Sequence, residues 1–93
     1  MITPAQMRAG RALLGWSQQQ LAAAAKIGLA SVNNYERGAS DPRLSTLREA
    51  RDAMAKAGVI FIEPAGGEGE GAKLASPSPV KSEGARMAKP DVP

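Results

Sequence analysis

The strongest constraint on this chain is the punctuation of its first half. Thr3-Pro4-Ala5-Gln6 and Ser17-Gln18-Gln19-Gln20 are both capping boxes. In each, a hydroxyl residue takes the amide three residues on, and a glutamine returns to the cap's own amide. Pro4 suits the first position of a helix. Gly15 stops the helix that Pro4 opens, so the spacing predicts helices over Pro4 to Leu14 and over Gln18 to about Ala25. Gly28 opens a third helix, Leu29 to about Glu36, and Gly38 ends it. After an Asp41-Pro42 turn, a fourth helix is expected from about Ser45 to Ala57. Its Leu47, Ala50, Met54 and Ala57 fall on one buried face, and Gly58 stops it. On the first helix, Met7, Leu14 and the alanines face inward, with Arg8 and Arg11 more exposed.

The period then changes. Val59-Ile60-Phe61-Ile62 is β-branched and aromatic and reads as a strand. Residues 71–75 form a weaker strand, and the glycine-rich stretch between can close a hairpin. A two-stranded hairpin alone is marginal in water. The strand is therefore expected to pack on the helices, and its apolar second face points to a further partner. Its edge is open to two uses, pairing with a second copy of the chain or pairing with 71–75.

Composition shifts at Pro64. Residues 64–93 contain five Gly, five Pro and three Ser, and their charges cancel. Such a segment buries too little apolar surface to offset chain entropy, so 76–93 is expected to be a disordered tail. The net charge of +3 rests on residues 1–63, with eight basic and five acidic residues. The expected organisation is one mainly α domain over 1–63, with an added strand at 71–75.

The chain has no His and no Cys. Disulfides, zinc fingers, thiol nucleophiles and imidazole bases are therefore excluded, and neither a metal, a cofactor nor an enzymatic function is expected. No apolar run approaches the roughly 20 residues of a membrane span. The first residues lack the pattern of a signal peptide, so a cytoplasmic location is expected.

Gln18 to Tyr35 carries the functional information. Two short helices are joined by Ala25-Lys26-Ile27-Gly28, with apolar Leu21, Ala25, Ile27, Val32 and Tyr35 at their crossing. This arrangement leaves the third helix proud of the surface, where a DNA major groove can receive it. The ordered string Ser17-Gln18-x-x-Leu21-Ala22, Ile27, Val32, Tyr35-Glu36-Arg37-Gly38, Pro42 and Leu47 resembles the lambda-repressor/Cro-like helix-turn-helix family. The opening Ile2-Thr3-Pro4-Ala5-Gln6 and the ending Ala57-Gly58-Val59-x-Phe61-Ile62 resemble a subgroup of short bacterial proteins of that kind. The fold implied is a four-helix helix-turn-helix domain followed by a short β strand or hairpin.

The resemblance implies roles at matching positions. Gln18 would meet a DNA phosphate, or only cap its helix. Leu29, Ala30, Asn33 and Asn34 would lie on the base-reading face of the third helix, with Asn34 suited to a bidentate adenine contact. Arg37 and Arg43 would bind phosphates, or be a solvated basic face. Arg11 would form a structural ion pair with Glu36, and Trp16 and Tyr35 would belong to the core. Val59, Ile60, Phe61 and Ile62 form the expected dimer or partner interface.

Several features depart from the family's usual pattern. Leu29 and Ala30 offer no hydrogen bonds, and no charge lies between Leu29 and Tyr35. Lys26 stands where the family commonly has Gly, and Gly28 replaces a hydroxyl cap. Two readings follow. One is a sequence-specific transcriptional regulator, a repressor acting as a dimer on double-stranded DNA. The other is a helix-turn-helix fold turned to protein binding, such as an antiactivator that sequesters a transcription factor.

Overall fold

The computed structural model describes residues 1–39 and 42–77. Asp41 of the expected turn, and the expected tail from residue 78 onward, lie outside the described residues. Four helices lead into a hairpin: α1 (Pro4–Leu14), α2 (Gln18–Ala25), α3 (Leu29–Glu36), α4 (Leu44–Lys56), β1 (Val59–Ile62) and β2 (Gly71–Leu74).

Both capping boxes form. The Thr3 hydroxyl accepts from the Gln6 amide at 3.1 Å, and the Ser17 hydroxyl accepts from the Gln20 amide at 3.0 Å. The return bonds from the Thr3 and Ser17 amides to the glutamine oxygens measure 2.9 and 2.7 Å. Three helices end alike, with a left-handed residue and paired backward bonds of the Schellman kind. After α1, Gly15 and Trp16 donate to Ala12 and Arg11. After α2, Lys26 and Ile27 donate to Ala23 and Ala22, and after α3, Gly38 and Ala39 donate to Tyr35 and Asn34. Lys26 takes φ 59° and is the one non-glycine residue with positive φ among those described. The left-handed position of the tight turn between α2 and α3 is therefore taken by a non-glycine residue, at a strain of roughly 1 kcal/mol.

The fourth helix differs slightly from expectation. It begins at Leu44 rather than Ser45, because Arg43 takes the extended N-cap conformation and its carbonyl accepts from the Leu47 amide. No side chain caps it. It ends at Lys56, and Ala57 is exposed rather than part of the buried face. Ala50 and Met54 are fully buried there, with Leu47 and Ala53 packed beside them.

Helices of 8 residues are not stable alone in water, so packing must hold them. The core consists of Ile2, Met7, Leu21, Ala22, Ala25, Val32, Ala50, Met54 and Val59, with Leu14, Trp16, Ile27, Tyr35 and Phe61 packed against it. Tyr35 also donates from its hydroxyl to the Ile2 carbonyl at 2.7 Å, tying the N-terminal residues to α3. Gly10 lies against Met54 and Phe61. A Cβ there would come within 2.8 Å of the Met54 sulfur and 3.0 Å of the Phe61 ring.

β1 and β2 pair antiparallel with Val59 opposite Leu74 and Ile62 opposite Gly71. Gly66 and Gly67, both at positive φ, form the hairpin turn between Ala65 and Glu68, as a type I′ geometry requires. One edge of β1 thus pairs within the chain. The strand alternates: Val59 is buried and Phe61 half-buried against the helices, while Ile60 and Ile62 are exposed. Of the four residues expected at an interface, Val59 and Phe61 are therefore core side chains, because a strand sends successive residues to opposite faces. Ile60 and Ile62 alone remain outward.

Gln6 fastens the hairpin to α1. Beyond its part in the capping box, its amide nitrogen donates to the carbonyls of Ile62 (3.1 Å) and Gly71 (3.0 Å), one from each strand. The side chain is buried and every polar atom of the amide is used. Gln6→Ala is expected to destabilise the fold by about 2 kcal/mol in urea unfolding, because the two carbonyls lose their donor. Gly10→Ala is expected to be destabilising despite the better helix former, by about 1 kcal/mol, since overpacking outweighs propensity. A stabilised Gly10→Ala variant would show that Met54 and Phe61 repack without strain.

Candidate nucleic-acid interface

The site is built on α2, the Lys26-Ile27-Gly28 turn and α3. Val32 and Glu36 face inward from α3. Leu29, Ala30 and Asn33 are exposed and Asn34 is half-buried. The third helix therefore presents two apolar residues at its start and two amides beyond them, with no exposed charge between Leu29 and Tyr35.

Beneath this surface lies the Glu36 carboxylate, 3% exposed. Arg11 grips it in two places, from Nε to Oε2 at 2.7 Å and from Nη2 to Oε1 at 2.8 Å. The Gln18 amide nitrogen donates to Oε1 at 3.0 Å. Arg11 also donates from Nη1 to the Trp16 carbonyl at 2.9 Å, and Arg8 donates from Nη1 to the Glu36 backbone carbonyl. One carboxylate thus joins α1, the loop after it, α2 and α3. Burial pushes the Glu36 carboxyl toward its neutral form. The Arg11 and Gln18 hydrogen bonds and the charges of Arg11 and Arg8 oppose this, and hold its pKa below the ordinary carboxylate range. The hydrogen bond to Glu36 raises the Arg11 pKa against partial desolvation. The Arg11–Glu36 pair expected from the sequence is present and structural.

The positions of the other expected residues differ in kind. Gln18 and Asn33 are brought together: Asn33 donates from Nδ2 to Gln18 Oε1 at 3.2 Å. Asn34 and Arg37 also meet, with Arg37 Nη2 donating to Asn34 Oδ1 at 3.1 Å. That bond uses one of the two lone pairs on the oxygen that would enter the expected bidentate adenine contact of Asn34. Arg43 is the exposed N-cap of α4, and its side chain makes no hydrogen bond or ion pair among the described residues. Leu29 and Ala30 stand at the exposed start of α3 with Gly28 as a cap that offers no side chain.

Sequence reasoning missed one contributor, Arg8, and one role, that of Gln18. Arg8 covers the C-terminal carbonyl end of α3, where a cation is favoured by the helix dipole. Its spacing of three from Arg11 places both on one face of α1, which is the signal that could have shown it. The sequence points Gln18 to phosphate contact or capping, whereas its side chain bridges Glu36 and Asn33.

The helix-turn-helix family profile matches residues 7–55, more than half of the chain, from within α1 to the end of α4. The chain belongs to the helix-turn-helix family of the lambda-repressor/Cro type, a family of DNA-binding transcription regulators. No curated protein sequence matches it significantly. No helix among the described residues is long and apolar enough to cross a membrane.

Removing one partner of a buried ion pair leaves an uncompensated charge. Arg11→Ala is expected to cost about 3 kcal/mol by denaturant unfolding. Because the folded state lowers the Glu36 pKa, its contribution is present above the ordinary carboxylate range and lost as pH falls through that lowered pKa. Stability of the wild type should therefore drop on acidification. Glu36→Gln should be less stable near neutrality and show a shallower acid slope. Equal slopes in the two proteins would place the linkage at other carboxylates.

Proposed function

We propose that this protein is a sequence-specific transcriptional repressor that binds double-stranded DNA as a dimer, with α3 in the major groove of each half-site. The observation that carries the reading is α3 itself. It is a short helix held from behind by Glu36 and Arg11, with Leu29, Ala30, Asn33 and Asn34 turned outward. Base edges are read by the two amides, and Leu29 and Ala30 offer apolar contact to a thymine methyl. Arg37 and Arg43 flank the loop after α3 and supply phosphate contacts. One such domain makes few contacts, and pairing on symmetric half-sites one helical turn apart compensates. The exposed Ile60 and Ile62 side chains are the proposed dimer contact.

A second reading is favoured by one specific observation. Leu29, on the uncharged stretch of α3, is 47% exposed, and Leu44 at the start of α4 is 55% exposed; exposed apolar residues of this kind also suit a protein partner. In that case the domain sequesters a transcription factor rather than occupying an operator.

Mobility-shift titrations against the DNA upstream of the protein's own gene, at two salt concentrations, separate these readings. Repressor function predicts site-specific binding that weakens with salt. Arg37→Ala should reduce the slope of log K against log salt by about 1. Ile60→Lys should convert a dimer to monomer in size-exclusion chromatography. Binding that ignores both sequence and salt would sink the repressor reading. Loss of a protein complex on Leu29→Glu would then support the second.

A further inference from the structure

We propose that the buried Glu36 carboxylate, acting through Gln18, sets the hydrogen-bonding polarity of Asn33 and makes Asn33 an adenine-reading residue. The inference rests on the DNA-binding reading above and deepens it.

Chemistry forces the order of donors and acceptors at each link. An ionised carboxylate only accepts, so Gln18 must turn its NH₂ group toward Glu36. Its amide oxygen then faces Asn33. That oxygen also only accepts, so Asn33 must turn its own NH₂ group toward Gln18, as the 3.2 Å contact shows. Among the described residues, the Asn33 carbonyl oxygen and second N–H are left uncommitted. In the major groove, an acceptor beside a donor matches adenine, whose N6 amine donates and whose N7 accepts. The neighbouring amide has the opposite polarity. Arg37 can only donate, so the Asn34 oxygen is turned to it, and Asn34 with Arg37 offers donors to guanine or to phosphate oxygens. Two adjacent asparagines on one helix thus differ in what they offer because their supporting residues differ. Arg11 holds the Glu36 carboxylate ionised and in place, and Gln18 is the positioning residue that transmits its polarity.

The proposal is tested in two arms. In the free protein, NMR should show the Asn33 side-chain NH₂ exchanging slowly with water, and Gln18→Met should release it to the rate of an exposed amide. Selection of preferred sites from random DNA should then give one A·T pair whose preference is lost in Asn33→Ala. Gln18→Met should lower the preference at that same pair by roughly tenfold, with preferences at the other positions as the internal reference. A uniform loss of affinity in Gln18→Met, with the A·T preference intact, would reduce Gln18 to a phosphate or stability role and overturn the proposal. So would an Asn33-dependent preference for G·C, or an Asn33 amide that exchanges equally fast in both proteins. Failure of the DNA reading itself is distinguishable. The wild type would then select no site at all and the base assignment would fall with it, while the exchange measurement still decides whether Gln18 orients Asn33.

Discussion

The Glu36 carboxylate is where the structure is most demanding. A buried carboxylate is destabilising unless its charge is met and its lone pairs are used. Here Arg11 meets it with two hydrogen bonds and Gln18 with a third. The partners come from α1 and α2, while the carboxylate belongs to α3. α2 and α3 are each 8 residues long, too short to persist alone, and they meet over small alanines. The carboxylate fixes their crossing in a way that contacts among Ala22, Ala25 and Val32 cannot, since hydrogen bonds are directional and apolar contacts are not.

The hairpin is secured by the same device at the other end of α1. Gln6 is almost fully buried, and its amide reaches one carbonyl from each strand. A two-stranded sheet lacks the burial to stand alone. It obtains that burial from Val59 and Phe61 on the helices, and its placement from Gln6. α1 therefore acts as the spine of the domain. One buried polar residue, Gln6, attaches the hairpin to it, and another, Glu36, attaches the helix-turn-helix. Gly10 lies between them and lets Met54 and Phe61 approach the helix backbone.

Much of this was legible in the sequence because it is local. A capping box lies within four residues, and α1, α2 and α3 have the bounds that their caps and glycines predict. Lys26 in the turn was visible as a departure, and its positive φ follows from the tight chain reversal that the two helices need. The start of α4 was less legible. Ser45 is a better cap by propensity, but the path of the chain put Arg43 in the extended conformation instead. The long-range polar contacts were not legible. Gln6 was readable as half of a capping box, and its second pair of bonds reaches more than fifty residues along the chain. The two faces of β1 could not be told apart either, since Val59, Ile60, Phe61 and Ile62 are all apolar and only packing shows which pair is inside. At the candidate site, the sequence identified the outward residues of α3 but not their hydrogen-bonding state. That state depends on Gln18 and Arg37, which meet the asparagines only in the folded chain.

The uncharged surface of α3 acquires a physical sense from this arrangement. Under the repressor reading, affinity and specificity are supplied by different residues. Phosphate attraction is long-ranged and indifferent to sequence, so cations at the edges of the site, Arg37 and Arg43, can supply it from beside the helix. Amide contacts are short-ranged and discriminate only when their donors and acceptors are fixed in advance. A freely rotating asparagine would offer either polarity to any base and gain little selectivity. The buried carboxylate removes that freedom at Asn33 through an intervening glutamine. Arg11 meets its charge from behind and Arg8 covers the adjacent helix end. A group that would repel DNA if exposed can therefore organise a DNA-reading face from within the core, and the ion pair serves both the stability of the crossing and the polarity of the surface above it.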